Sequence, residues 1–168
     1  MGLAAATAMI GIQVKKTIEW GTKIRDLGVM FGVTTKFLQE MEYVATQTGG
    51  SIDSLMKGYK KMALQQAAII DPATGATERA EYLAFFNKLG VSSAKVMSLS
   101  PQDLFLETAR AMKTFDAGAM GSQEAVAGVF GKSGVALINT FKVGIDDLTA
   151  AFGALGVTVA DTTIEELG

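Results

Sequence analysis

The sequence predicts an all-α fold: roughly seven to nine short amphipathic helices, joined by Gly-Val-Ser/Thr turns into a compact helical bundle able to open into extended helices. Three observations lead there. Apolar residues recur at helical spacing in several segments, no stretch alternates as a half-buried strand does, and the connectors repeat one turn chemistry. With 168 residues and 19 glycines, one long rod is not expected, and the chain is long enough to bury a real core.

The first element is the apolar run GLAAATAMIGI before Gln13. It is about half the length needed to cross a bilayer. Lys15 and Lys16 follow the run rather than precede it, against a signal peptide, and Ala6 stands where a myristoylation signal wants Ser or Thr. A helix from Leu3 to about Arg25 results, one that docks on the rest of the chain or, in preference, docks on a partner or was cut from a longer apolar segment. Residues 1–26 are thus read as an apolar N-terminal helix, continuing from or docking on something else, and 27–168 as a helical core domain.

Further helices follow from the apolar stripes. Phe37, Leu38, Met41, Val44 and Ala45 lie on one face of a 3.6-residue period. Ile52, Leu55, Met56, Tyr59, Met62 and Ala63 repeat it, with Lys57, Lys60 and Lys61 turned away. Asp71-Pro72-Ala73-Thr74-Gly75 stops that helix. Leu104, Phe105, Thr108, Ala109, Met112 and Phe115 form a third stripe, with Glu107, Arg110 and Lys113 outward. Its start is marked by Ser100 as cap, Pro101 at the first helical position and Asp103 at the favourable end of the dipole.

The connectors carry the turn signal. Leu27-Gly28-Val29, Leu89-Gly90-Val91-Ser92 and Leu155-Gly156-Val157-Thr158 share a pattern, with Phe31-Gly32-Val33-Thr34 and Gly50-Ser51-Ile52-Asp53 as relatives. A glycine able to turn left-handed ends one helix, and a hydroxyl or carboxylate caps the next. In AGVFGKSGVAL the Gly131-Lys132-Ser133 triplet resembles part of a phosphate loop, yet Val126 stands where such a loop needs glycine and the preceding residues look helical. The expected structure is a corner: Ser122 opens a helix through Phe130, Gly131 ends it, and Ser133 or Gly134 opens another with Val135, Leu137, Ile138 and Phe141 inward. The structural turn residues are therefore Gly28, Gly32, Gly90, Gly131, Gly134 and Gly156.

Composition limits chemistry. The chain has no Cys and no His, which removes thiolate nucleophiles, imidazole bases and the usual zinc ligand sets. Asp146-Asp147 and Glu165-Glu166 are adjacent pairs, and helix neighbours diverge by about 100°; the first pair suits a helix start after Gly144. No catalytic, cofactor or metal site is expected, and the chain is read as a non-enzyme. Net charge is −2, with eight Lys/Arg against five Asp/Glu in residues 1–70 and seven against twelve in 71–168. Specific nucleic-acid binding is not expected.

LGVMFGVTTKFLQEMEYVATQTGGSIDSLMKGYKKM resembles a pattern of tailed-phage tape measure proteins: a Gly-Val-Ser/Thr turn, a Leu-Gln-rich helix, a small-residue turn, then a helix beginning Asp-Ser-Leu. FNKLGVSS, PQDLFLETARAMKTF, SQEAVAGVFGKSGVALINTF and IDDLTAAFGALGVTVAD are similar, in order, to the next blocks of that family's core. The Phe130–Gly134 turn stands at the family's Phe-Gly-Arg/Lys-Ser-Gly position. Family members are far longer, so the resemblance implies a fragment or a processed product. It further implies a structural role in a phage or phage-like tail: occupying the tail tube lumen, templating tail length and assembly, and leaving at infection. Implied partners are the tail tube protein, tail assembly chaperones and tail tip proteins, with self-association and contact with the host membrane. The implied location is the virion tail lumen, and the host cytoplasm during assembly. Two other readings are a membrane-active helical protein assisting genome delivery and a cytosolic helical adaptor.

Overall fold

A computed structural model describes the backbone of residues 2–116, 118, 121–156 and 159, and within these the side chains from residue 17 onward. Among the described residues the chain is all-α as expected, with α1 (Gly2–Phe31), α2 (Thr35–Gln47), α3 (Ile52–Ile70), α4 (Ala76–Lys88) and α5 (Ser93–Ser98). These are followed by α6 (Pro101–Ala111), a 3₁₀ turn (Met112–Thr114), α7 (Ser122–Phe130), α8 (Gly134–Val143) and α9 (Ile145–Leu155). The Val157-Thr158 part of the last expected turn and the Glu165-Glu166 pair lie outside the described residues. The described parts of Met1–Glu40 and Gly156–Gly168 form one compact unit, and Met41–Leu155 a second. The boundary expected after residue 26 lies inside α1.

In the first unit, α1 does not stop at Gly28. It continues to Phe31, and Gly32 takes the left-handed conformation at φ +64°. The difference lies in the residue two positions beyond each glycine. After Gly28-Val29 comes Met30, which cannot cap, whereas after Gly32-Val33 comes Thr34, whose Oγ1 accepts from Phe37 N at 3.2 Å. Val33 N also donates to Gly28 O at 3.2 Å, which satisfies a carbonyl in the last turn of α1. Ile24, Val33, Phe37 and Leu38 are buried in this unit. The side-chain amide of Gln39 pairs with the backbone of Val159, donating to its O at 2.9 Å and accepting from its N at 2.8 Å.

The second unit is organised around α3. Its start is fixed by Ser51, whose side chain accepts from Ser54 N. Its buried face includes Ile52, Leu55, Met56, Tyr59, Met62 and Ile69, and Lys57, Lys60 and Lys61 are exposed as expected. Against that face sit α6, α7 and α8, whose Phe105, Phe130 and Phe141 are almost fully buried. Phe105 lies at the centre of the cluster, 5.7 Å from the ring of Tyr59, 6.0 Å from Phe130 and 5.6 Å from Phe141, in edge-to-face contacts. Ser100 caps α6 and Pro101 begins it, as the sequence indicates. Phe115 is only half-buried because α6 and the 3₁₀ turn end before it.

Two expectations for α8 need correction. Val135 is 44% exposed, since Gly134, Leu137, Ile138 and Phe141 already fill the inward arc. Gly134, counted among the turn residues, opens α8 as expected but has no positive φ. It is buried in the first turn of α8, where a Cβ would stand 2.7 Å from Phe130 Cβ and 2.9 Å from Val126 O. Close approach demands this glycine. Gly134→Ala should therefore cost about 1–3 kcal/mol, because a backbone oxygen cannot step aside as a side-chain tip can. Gly153→Ala, in α9 with open space around its Cβ position, should be neutral or stabilising by about 0.4–1 kcal/mol. Urea denaturation of the two variants measures the contrast.

Candidate functional site

The Gly-Lys-Ser triplet is a three-residue corner between two helices. Gly131, at φ +74°, closes α7 by donating its N–H to Ala127 O at 2.9 Å, and Gly134 N donates to Gly131 O at 2.9 Å. A helix, and no strand, precedes it, so the amides are not arrayed along a loop that could wrap a phosphate. Lys132 is exposed.

From that corner α8 runs back along α3. Lys61 Cγ lies 3.6 Å from the position a Cβ on Gly131 would take, and Leu137 lies 2.7 Å from the corresponding point on Gly58. Thr140 Oγ1 meets Thr48 Oγ1 at 2.9 Å near the opposite end. Between the α2–α3 turn and α8 the seam opens into a groove of about 500 Å³. Its lining includes the almost fully buried Ala45, Leu55 and Leu137 and the exposed Ala136, with Ser51, Ser54 and Asn139 as polar members. Among the described residues, no carboxylate pairs with Lys57, Lys60, Lys61 or Lys132.

The other charged edge is internally neutralised. Lys95 pairs with Glu107, which also lies 3.7 Å from Arg110. Arg110 Nε donates to both Asp146 oxygens at 2.9 and 3.0 Å, and Lys113 Nζ donates to Asp147 at 2.9 Å. Asp146 and Asp147 thus occupy the first turn of α9, as expected of helix-start carboxylates, and tether it to α6 and the 3₁₀ turn. The hydrogen bond to Asp147, helped by its charge, raises the Lys113 pKa above the ordinary lysine value.

Two buried amides escape a reading of the sequence. Gln65 and Gln66 are adjacent on α3 and 5% and 2% exposed. Gln65 Nε2 donates to Gly128 O in the last turn of α7. Gln66 Nε2 donates to Val96 O at 2.9 Å and Leu99 O at 2.7 Å, at the end of α5. Each thereby satisfies carbonyls that a helix terminus leaves without an intrahelical donor. The chain holds a faint signal of them: an amide pair at positions that continue the apolar stripe of Met62 and Ile69.

Of the six turn glycines, Gly32, Gly90, Gly131 and Gly156 have positive φ, whereas Gly28 and Gly134 are helical positions. Gly90 shows the complete device. Its N–H reaches Asn87 O at 3.0 Å, Val91 N reaches Phe86 O at 3.0 Å, and Ser92 caps α5. Among the described residues no group of His, Cys, Asp and Glu is disposed to hold a metal ion, and no helix is long and apolar enough to cross a membrane. Compared with family models, curated proteins and solved structures, the chain gives no match.

Gln66→Ala should destabilise the chain by about 1–3 kcal/mol by leaving buried carbonyls unpaired, and Gln66→Met should restore the packing but not the stability; thermal melts decide. Because the Lys113 pKa is raised on folding, its ion pair contributes below the ordinary lysine pKa of about 10.4 and is lost as pH rises through the folded value. A side-chain NMR titration should find Lys113 deprotonating at higher pH in the native chain than in the Asp147→Asn variant.

Proposed function

We propose that the chain is the core region of a tape measure protein from a phage or phage-like tail, acting as a structural component without catalysis. The observation that supports it most is the run of five sequence blocks, in family order, from Leu27 to Asp161. The nature of the connectors agrees: the helices in 35–155 run from six to nineteen residues, and several of their connectors turn on a glycine at positive φ, at Gly49, Gly90, Gly121, Gly131 and Gly144.

The role places opposite demands on one chain. A compact chain of this length is about 40 Å across, whereas the same residues in one helix would be about 250 Å long and some 10 Å wide. A tube lumen favours the narrow form. Left-handed glycines are the positions where straightening costs least, since glycine enters right-handed helical space without steric penalty. On this reading the protein occupies the tube during assembly, contacts tube, chaperone and tip proteins, and leaves when the genome is delivered.

The coding sequence should lie among genes for tail tube, tail assembly chaperone and tail tip proteins, and antibody to the chain should label tails of the assembled particle. A locus and a particle lacking both results would overturn the proposal. Limited proteolysis should cut first at Gly32, Gly90, Gly131 and Gly156; equal cleavage within helix interiors would remove the opening model while leaving the tail assignment standing.

A further inference from the structure

The α3–α8 seam combines three features that the fold does not use for its own stability. It has a groove of about 500 Å³. The two helices that form it also carry exposed apolar side chains, Leu64 on α3 at 59% and Val143 on α8 at 54% exposure. And a row of cations has no carboxylate opposite it among the described residues: Lys57 and Lys61 on α3, and Lys132 at the corner.

Helical phase puts these features on one strip. Ser54, Lys57, Lys61 and Leu64 follow three- and four-residue steps along the α3 edge that borders the groove, and Ala136, Asn139 and Val143 do the same on α8. Asp53, at the first turn of α3, is the acidic residue nearest this strip in sequence. The contrast with the α6–α9 edge is informative. There Lys95, Arg110 and Lys113 meet Glu107, Asp146 and Asp147, so the cations of that edge are neutralised by acids of its own helices.

We propose that this seam is a docking surface for an acidic amphipathic helix of a partner protein. Small apolar side chains of such a helix would lie over the groove against Ala136, and its carboxylates would face Lys57, Lys61 and Lys132. Charge complementarity selects an acidic partner. The groove's apolar surface and its uncharged hydroxyls select a peptide over a phosphate backbone, since no aromatic ring lines it for base stacking. The inference rests on residues 45–143 alone and does not depend on the tail assignment.

The test is a titration of the isotope-labelled full chain with a synthetic helical peptide of about 15 residues built from Ala, Leu and Glu, alongside the same peptide with Lys in place of Glu. Amide shifts should appear at Thr48, Ser54, Ala136 and Asn139 with the Glu peptide and not with the Lys peptide, and should weaken with salt. Lys57→Glu combined with Lys61→Glu, both at exposed positions, should reduce affinity at least about tenfold with an unchanged thermal melt. Ala136→Trp should block binding by filling the groove. Shifts mapping elsewhere, equal binding of the Lys peptide, or undiminished binding by the doubly reversed variant would overturn the proposal. So would the same shifts produced by duplex DNA, by anionic vesicles or by dilution-dependent self-association while the Glu peptide produces none.

Discussion

Short helices have many ends, and each end leaves backbone groups that the helix itself cannot pair. That constraint governs this molecule more than any single contact. Many boundaries in residues 31–144 are closed locally: Thr34, Ser51, Ser92 and Ser100 accept at the starts of α2, α3, α5 and α6, and Gly32, Gly49, Gly90 and Gly131 turn the chain at stops. Where local chemistry falls short, α3 supplies the missing donors through Gln65 and Gln66.

α3 therefore acts twice. Its apolar face meets the aromatic cluster around Phe105, and its amides finish α5 and α7, so the same helix sets both the packing and the lengths of its neighbours. Glycine makes that possible at two points. Gly58 lets Leu137 of α8 come close, and Gly128 does the same for the Phe85 ring of α4 against α7. A methyl group at either position would require the facing side chain to move, and a close-packed interior leaves it little space.

Function divides along charge. One edge of the Met41–Leu155 unit is neutral by internal pairing, while the α3–α8 seam keeps its lysines for something outside the fold. Surface ion pairs add only about 0–1 kcal/mol each, so the α6–α9 pairs matter chiefly for where they hold α9. Unpaired lysines beside a groove are, by the same arithmetic, no burden on stability. They are free to set specificity.

The sequence alone determined the class of fold, the stripes on α2, α3 and α6, the start of α6 with Ser100 as its cap and Pro101 at its first position, and the corner at Gly131. Each of these is local: it needs a period, a hydroxyl or a glycine within a few residues of the place it controls. The same local view does not separate Gly28 from Gly32 unless the capping power of the residue two positions on is weighed, and it points to a turn at Gly134. Tertiary structure decided what depends on neighbours distant in sequence: that Gly134 serves close approach, that Val135 faces out, that two glutamines finish other helices. Those outcomes turn on which surfaces meet, and a meeting across thirty or sixty residues leaves no periodic trace in the chain that makes it.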